Sequence, residues 1–240
     1  MSLLTVVKDV CMAIGVNPPV SMFGSSIQPR TQAELLSLAN ETVQKIAYDV
    51  REWTALKRVQ TFTDTGGVTN ADGSVSYAMP SNFKRMLLTT QVYSSASPRL
   101  PLQFISDTDE WLARRISNYP GGWGEWTMIG TDMVIYPALA AGHSISFVYL
   151  DKNCVRLFGG GYGDTFVNDG DQFRIDERLL KLGMIWQWKA NKGSPYAEDM
   201  GTYSDALVNI AGADKPAPII VGRQPVSAAA QVAYPWPVPT

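Results

Sequence analysis

The stretch IDERLLKLGMIWQWK, residues 175–189, carries apolar side chains at a helical spacing. With successive residues placed about 100° apart, one apolar row lies within about 60° of arc and consists of Ile175, Leu179, Leu182 and Trp186. A second row on the opposite side consists of Leu180, Met184 and Trp188. Because a surface helix has one apolar stripe, two opposed rows predict a helix covered on both sides, either inside its own bundle or between neighbouring subunits.

The N-terminal end of the chain contains two more helical segments. Residues 3–14 have the apolar spacing of a short amphipathic helix, and Gly15 ends it. Thr31 and Glu34 match a capping box. The apolar side chains behind this box share one face, which predicts a long helix that runs to about Leu56.

The C-terminal end returns to helix after Asp176, which suits an N-cap. A last helix begins at Ser194-Pro195 and ends near Gly212. We expect these two helices, in residues 174–212, to pack on the two N-terminal ones, in residues 1–57. The ends of the chain would then form one helical domain.

Between the helical ends, the period of the apolar residues changes from about 3.6 to about 2, as in β-strands. The change begins at Arg58. One short helix at residues 107–117 has an acidic first turn that suits the helix dipole. Residues 58–150 are therefore predicted as a β-rich insertion. Residues 151–173, which contain Gly159-Gly160-Gly161-Tyr162-Gly163, are predicted as a Gly-rich loop.

The last segment, residues 213–240, is rich in Pro and Ala. Proline at this density excludes helix and central strand, so we expect an extended arm that is disordered until a partner binds it. Its docking residues would be four apolar side chains spaced by two residues: Val232, Tyr234, Trp236 and Val238. A disordered terminus without a partner is the alternative. The fold class predicted for the whole chain is α+β, a helical bundle built from the N- and C-terminal parts with a β-rich insertion and an extended C-terminal arm.

The composition excludes several classes of protein. The chain has 240 residues, with 20 Lys and Arg against 22 Asp and Glu, so it is neither strongly basic nor strongly acidic. No apolar run approaches the ~18 residues of a membrane span, and the first ten residues lack the basic start of a signal peptide. Cys11 and Cys154 have no CxxC partner, which predicts buried free thiols made in a reducing compartment.

Candidate catalytic and ligand-binding groups are few. His143 is the only histidine, its position is typical of a solvent-facing turn, and no GxSxG motif accompanies it. The Gly-rich loop lacks the Lys-Ser or Lys-Thr of a P-loop. Asn168-Asp169-Gly170-Asp171 is a poor calcium loop, since Thr165 and Val167 stand where the first carboxylate ligands belong. We therefore expect no enzyme activity, no cofactor and no metal.

Two hypotheses from other classes stay open at this point. Trp123 and Trp126 would present a sugar platform if the chain were a carbohydrate-binding tail or baseplate module. Asp107, Asp109 and Glu110 would supply paired carboxylates if it were a hydrolase, although the N-terminus of a helix accounts for them equally well.

The order of these parts resembles the head-to-tail adaptor proteins of tailed bacteriophages, including the tail-tubular-protein-A type of short-tailed phages. The resemblance covers the helical ends, residues 1–57 and 174–212, and the insertion and arm match only in kind. The motifs that carry it are Met12-Ala13-Ile14-Gly15 followed by Asn17-Pro18-Pro19-Val20, Arg51-Glu52-Trp53 at the end of the second helix, residues 175–189, and Lys192-Gly193-Ser194-Pro195-Tyr196-Ala197-Glu198-Asp199.

The resemblance implies a structural virion protein without catalysis, located in the neck between head and tail and assembled in the host cytoplasm. It implies a homo-oligomeric ring, usually of twelve copies, whose C-terminal arm reaches onto the portal protein. The other implied partners are a tail or nozzle protein and double-stranded DNA that passes non-specifically through the channel; no membrane is implied. A near-neutral charge is compatible with this channel wall, because many Lys and Arg contacts would hold the duplex.

Two sets of residues are then assigned to contacts. Leu180, Met184 and Trp188 are the candidates for a subunit or bundle contact. The candidates for the portal-docking arm are Val232, Tyr234, Trp236 and Val238.

Overall fold

The computed structural model describes residues 1–24, 29–88, 90–96, 100–117 and 124–214. Five α-helices lie in these ranges: α1 (Leu3–Ile14), α2 (Arg30–Gln44), α3 (Thr108–Ile116), α4 (Glu177–Asn191) and α5 (Ala197–Asp214). The strands of the same ranges are β1 (Lys57–Thr63), β2 (Val68–Thr69), β3 (Val75–Ala78), β4 (Phe83–Met86), β5 (Tyr93–Ser94), β6 (Gln103–Phe104), β7 (Glu125–Ile129), β8 (Asp132–Tyr136), β9 (Ser144–Asp151), β10 (Val155–Arg156), β11 (Tyr162–Gly163) and β12 (Gln172–Phe173).

The strands form three sheets. The first is antiparallel and has the order β1–β9–β4, with β5 also paired to β9. The second has the order β2–β3–β8–β7–β6 and is parallel only between β6 and β7. The third is small and has the order β11–β10–β12. A core of apolar side chains from the first two sheets includes Phe62 and Tyr77, whose ring centroids lie 4.9 Å apart.

Local sequence signals set the ends of α1 and the start of α4. The hydroxyl of Ser2 accepts a hydrogen bond from the Thr5 N–H, and Gly15 closes the helix at φ 71°, in the left-handed region. The carboxylate of Asp176 accepts from the Leu179 N–H at 3.1 Å. The helix over residues 3–14 and the Asp176 N-cap are confirmed.

The second helix differs from its prediction at both ends. Arg30 is its first residue, with Pro29 at the N-cap position, so Thr31 lies inside the helix and forms no capping box. After Gln44 the chain continues as a π-helical segment, Lys45–Val50. The prediction of an α-helix that runs to about Leu56 is therefore wrong.

A buried tryptophan accounts for the early end of α2. Trp53 is 1% exposed, and its Nε1 donates to the carbonyl oxygen of Ile46 at 2.6 Å. Arg51 is fully extended between these two residues, with φ −168°. The chain thus turns back to bury the indole ring, and a short 3₁₀ segment, Thr54–Leu56, then leads into β1.

The prediction of a helical bundle with a β-rich insertion is wrong. The core that holds the buried side chains of α1, α2 and α4 also contains residues from the end of β9 and from the stretch 151–173: Leu150, Cys154, Val155, Phe166 and Phe173. The sequence predicts a loop for residues 151–173, and this is wrong: the stretch contains the third sheet, whose two-residue strands are too short to show a period of two. Helices and strands therefore share one core in a mixed α+β fold.

α4 lies at the centre of the helical part, where it contacts α1, α2 and α5. A Cβ atom at Gly183 would lie 2.6 Å from Cγ2 of Thr42, so α2 and α4 approach more closely than any side chain at this position allows. Thr42 is buried, and its hydroxyl donates to the Leu38 carbonyl oxygen at 2.7 Å. The α2–α4 distance therefore depends on a glycine in the middle of α4.

Replacing Gly183 by alanine tests this contact. Alanine favours a helix over glycine by up to about 1 kcal/mol, but an extra methyl group in a packed core costs about 1–3 kcal/mol. We expect Gly183→Ala to lower the free energy of unfolding, measured by urea titration, by about 1–2 kcal/mol. The matched control is Gly201→Ala on α5, where a Cβ meets nothing within 4 Å. It should be stabilising, and stabilisation by both variants would contradict the contact.

Candidate functional site

Both apolar rows of α4 are covered by the chain itself. Leu180 and Met184 are 1% and 0% exposed and lie in the core that the helices share with the third sheet. Trp188 is partly buried and packs against this core. In the opposite row, Leu179 is buried in the same core. The structure therefore places the three predicted contact residues against other parts of one chain, and the uncovered surface lies elsewhere.

Trp188 also lines a surface cleft of about 500 Å³ between the start of α2 and the end of α4. The ammonium of Lys192 lies 4.8 Å from the centroid of its ring and pairs with Glu34 at 2.7 Å. The hydrogen bond from Lys192, with a second from Arg30, lowers the pKa of Glu34. The charged groups on the rim of this cleft, Arg30, Glu34 and Lys192, are thus paired with one another.

α5 is the helix with the largest uncovered face. Of its 18 residues only Ala206 is buried. A narrow stripe packs on the helical core: Tyr203, Leu207, Ile210 and Ala211. The outer face is exposed and carries charge only at Glu198 and Asp205; its other residues are Ala197, Met200, Gly201, Thr202, Ser204, Val208, Asn209, Gly212 and Ala213.

The outer face of α2 differs from that of α5. It carries two ion pairs at i,i+4 spacing, Arg30 with Glu34 at 2.8 Å and Glu41 with Lys45 at 2.6 Å. Such pairs are typical of a helix face that stays in water. The outer face of α5 has no lysine or arginine and therefore no ion pair of this kind.

Residues 213 and 214, predicted as the start of the arm, belong to α5. The rest of the predicted arm lies outside the described residues, and so do its docking residues: Val232, Tyr234, Trp236 and Val238. The structure does fix where the chain enters this arm. The carboxylate of Asp214, the last residue of α5, accepts from the Thr54 N–H at 3.1 Å and pairs with Arg51 at 3.4 Å. The arm therefore begins beside the start of β1.

The two tryptophans proposed as a sugar platform do not form one. Trp123 lies outside the described residues. Trp126 is 6% exposed and packs on Phe104, with ring centroids 4.5 Å apart. A buried indole cannot stack on a sugar, so the part of this hypothesis that rests on Trp126 is wrong.

Two of the three carboxylates proposed for hydrolysis, Asp107 and Glu110, contact parts of their own helix. Asp107 caps α3, with its carboxylate accepting from the Asp109 N–H at 2.9 Å. Glu110 pairs with Arg114 at 2.6 Å, one turn further along. These contacts are typical of acidic residues in the first turn of a helix, where their negative charge is stabilised by the helix dipole.

His143 contacts a serine that the sequence does not identify. Its Nδ1 lies 3.3 Å from the hydroxyl oxygen of Ser95, which also accepts from the Ser144 N–H at 2.9 Å. The nearby carboxylate of Asp64 accepts from the Gly142 N–H at 3.0 Å rather than from the imidazole. A nucleophile, a base and a carboxylate that orients it are thus not assembled here.

The two carboxylates of the Asp169-Gly170-Asp171 segment accept hydrogen bonds from other groups of the chain. The buried carboxylate of Asp171 accepts from three backbone N–H groups at 2.8 Å: those of Phe158, Val167 and Asn168. Asp169 accepts from the Ser21 hydroxyl at 2.5 Å and from the Met22 N–H at 2.7 Å. Within the described ranges, no group of three or more His, Cys, Asp or Glu residues is placed to hold a metal ion.

Two ion-pair clusters, each built on a buried carboxylate, are not predicted from the sequence. Asp151, at the end of β9, pairs with Arg174 at 2.9 Å and Arg58 at 3.4 Å, and both guanidinium groups lie over the ring of Tyr162. This cluster joins the first sheet to the third and to the segment before α4. The residues come from distant parts of the chain, so no local signal identifies them.

The second buried cluster holds α3 on the second sheet. The carboxylate of Glu125 is 2% exposed and pairs with Arg114 at 2.5 Å and with Arg115. The guanidinium carbon of Arg115 lies 3.5 Å from the ring centroid of Tyr136. Arg114 and Arg115 thus join α3 to the second sheet through the buried Glu125 carboxylate. Removing one partner of a buried ion pair is destabilising, because it leaves a buried charge without compensation.

No protein-family model matches the chain, and no curated protein matches its sequence. None of the helices in the described ranges is long and apolar enough to cross a membrane. The function therefore has to be inferred from the residues and surfaces described above.

Both thiols are buried, as predicted, and should be unreactive in the native protein. Burial raises the pKa of Cys11 and raises that of Cys154 to about 11. At pH 8 about 0.1% of the Cys154 thiol is ionised, against roughly a quarter of an unfolded thiol with pKa near 8.5. We expect labelling with a disulfide reagent at pH 8 to be at least ~100-fold slower in buffer than in denaturant. Rapid labelling of the native chain would contradict this burial.

Proposed function

We propose that this chain is a structural virion protein, a head-to-tail adaptor of a tailed bacteriophage. It forms a homo-oligomeric ring, of twelve copies by the resemblance, between the portal and the tail and around the channel through which DNA passes. The observation that carries this proposal is the outer face of α5, which has few charges and only one covered side. The resemblance of the helical ends to phage adaptors supports a second copy of this chain as the partner that covers the other side.

The composition of this face supports a contact between copies. Interface cores are depleted of charged residues, and the outer face of α5 offers Met200 and Val208 at 45% and 71% exposure among small uncharged residues. A helix of this length extends about 27 Å, so one face about 10 Å wide covers on the order of 300 Å². That is less than half of the ~800 Å² per partner in a stable interface.

The small area has a consequence for assembly. α5 alone does not bury enough surface to hold a ring together in solution, so we propose that the ring forms on the portal, which brings the copies together. The C-terminal arm supplies the attachment through Val232, Tyr234, Trp236 and Val238. The proposal includes no catalysis: Asp107 and Glu110 contact residues of their own helix, and His143 contacts the hydroxyl of Ser95 while the nearby Asp64 carboxylate accepts from the Gly142 N–H.

A charge on the outer face of α5 tests the ring contact. Val208→Asp places a carboxylate in an interface core, and we expect at least a tenfold loss of binding to the portal protein of the same phage, measured by sedimentation. The melting temperature of the monomer should not change, because Val208 is exposed. The control is Gln44→Asp on the outer face of α2, which should bind normally. Equal binding by both variants would place the contact elsewhere.

Shortening the arm tests the attachment. Removal of residues 225–240 should abolish portal binding and leave the circular dichroism spectrum and the melting temperature unchanged. A full-length variant with serine at each docking position separates the side chains from the length of the arm. If the shortened chain binds the portal as well as the full chain does, the arm has no attachment role.

A further inference from the structure

The helical part covers only one end of a face of the first sheet. On β9, Ile145, Phe147 and Tyr149 lie in the core that this sheet shares with the second sheet, so the residues between them point to the opposite face. On that opposite face, Leu150 lies in the core of the helical part. The three residues of β9 that precede it there are only partly buried: Ser144, Ser146 and Val148.

The open part of this face continues onto β1 and β5, because residues opposite one another in a sheet share a face. On β1, Val59 stands opposite Val148. Thr61 stands opposite Ser146, which also pairs with Tyr93 of β5. A hydrogen bond of 2.9 Å joins the hydroxyls of Thr61 and Ser146. The outer face of the first sheet is thus formed by Val59, Thr61, Thr63, Tyr93, Ser144, Ser146 and Val148.

This outer face is exposed and uncharged. Val59 and Tyr93 are 69% and 46% exposed. None of the residues that form it is acidic or basic. Charged groups border it at the covered end, where Arg85 pairs with Glu52 at 2.7 Å. A partner that packs on the face therefore contacts apolar and hydroxyl groups and does not have to bury an unpaired charge.

Several other outward surfaces of the described elements carry charges. Arg156 is exposed on the third sheet. The second sheet is joined to α3 by the ion pairs that Arg114 and Arg115 form with Glu125. The outer face of α2 carries its two i,i+4 ion pairs. In contrast, uncharged residues predominate on the outer face of α5 and on the outer face of the first sheet.

A closed ring needs two different surfaces in each copy. When one face meets the same face of a second copy, the contact has two-fold symmetry and gives a dimer, whereas a larger ring requires a head-to-tail contact. The outer face of α5 therefore has to meet a different surface of the neighbouring copy. Its own copy cannot supply that surface, because α5 already packs on the helical core through its inner stripe.

The outer face of the first sheet matches that of α5 in size. Met200 and Val208 are eight residues apart, about 12 Å along the helix. Residues 59–63 of β1 extend over about 17 Å, and the strands β1, β9 and β5 together are about 14 Å wide. A helix about 10 Å wide thus fits on this face with both side chains in contact. Gly201 and Ser204 lie between them and allow a close approach.

The charges at the borders of the two faces are complementary. Lys57 is exposed two residues before Val59, on the same side of β1, and it forms no ion pair within the described part of the chain. The outer face of α5 has two acidic residues, Glu198 and Asp205, and no basic one. An acidic residue of α5 can therefore pair with Lys57 when the helix lies along the strands.

We propose that the outer face of α5 of one copy packs on the outer face of the first sheet of the next copy; this inference rests on the ring of the proposed function. Met200 and Val208 cover Val59 and Tyr93, and Lys57 pairs with an acidic residue of α5. Each copy then contributes α5 to one contact and β1 to the other, so the contact repeats head to tail around the ring.

Cross-linking of two single-cysteine variants tests this contact without the portal. Val208→Cys and Val59→Cys, one of them labelled with ¹⁵N, are mixed in concentrated solution and treated with a short bis-maleimide. Intact mass spectrometry should show at least ~10-fold more heterodimer than homodimer, because the contact holds the two thiols together. Since α5 can lie along the strands in either direction, Met200→Cys is tested in the same way. The native thiols are buried and should not react.

The control mixture replaces Val59→Cys by Val167→Cys, which lies before β12 and is 60% exposed in the native chain. Its heterodimer yield should be at least ~10-fold lower, because no contact brings Val167 to α5. Equal yields in the two mixtures, or homodimers of the α5 variants in excess over heterodimers, would overturn the contact. Chains that cross-link as expected but do not bind the portal would contradict the proposed function and leave this contact in place.

Discussion

The contact of Gly183 with Thr42 sets the distance between α2 and α4, and the arrangement of the helical part depends on this distance. With α2 on one side, α4 is covered on its other sides by α1, α5 and residues of the third sheet. Leu180 and Met184 therefore lie in the interior of the chain, although their pattern alone is equally compatible with a contact between subunits. The helix left on the outside is α5. The surface available for assembly is therefore the outer face of α5, with its small uncharged residues, and not the row of large apolar residues on α4.

The elements that the sequence predicts well are those with local signals. α1 is bounded by Ser2 and Gly15, and the N-cap of α4 is Asp176. The end of α2 could not be predicted, because it depends on the burial of Trp53 against Ile46 after the chain turns. The third sheet could not be predicted either, since it is held by Asp171 and by contacts with α1 rather than by a period in its own residues.

The sequence predicts only part of the candidate site, because the rest depends on contacts between distant parts of the chain. Periodicity identifies which residues of a helix share a face, but not which neighbour covers that face. Leu180 and Trp188 belong to one row, yet the first is buried and the second lines a cleft. The Asp151–Arg174 pair joins the sheets to the helices and has no sequence signal, because its members are distant in the chain. It also brings the end of the first sheet close to α4, so the base of the arm, the start of β1 and the helical core lie together.

The account depends most on the claim that the uncovered face of α5 and the arm serve assembly on a portal. Native mass spectrometry of the purified chain, alone and mixed with the portal protein of the same phage, tests this claim most directly. We expect a monomer by itself and, with the portal, a single complex that contains one copy of this chain for each portal subunit. A chain that stays monomeric beside an intact portal ring would contradict the account.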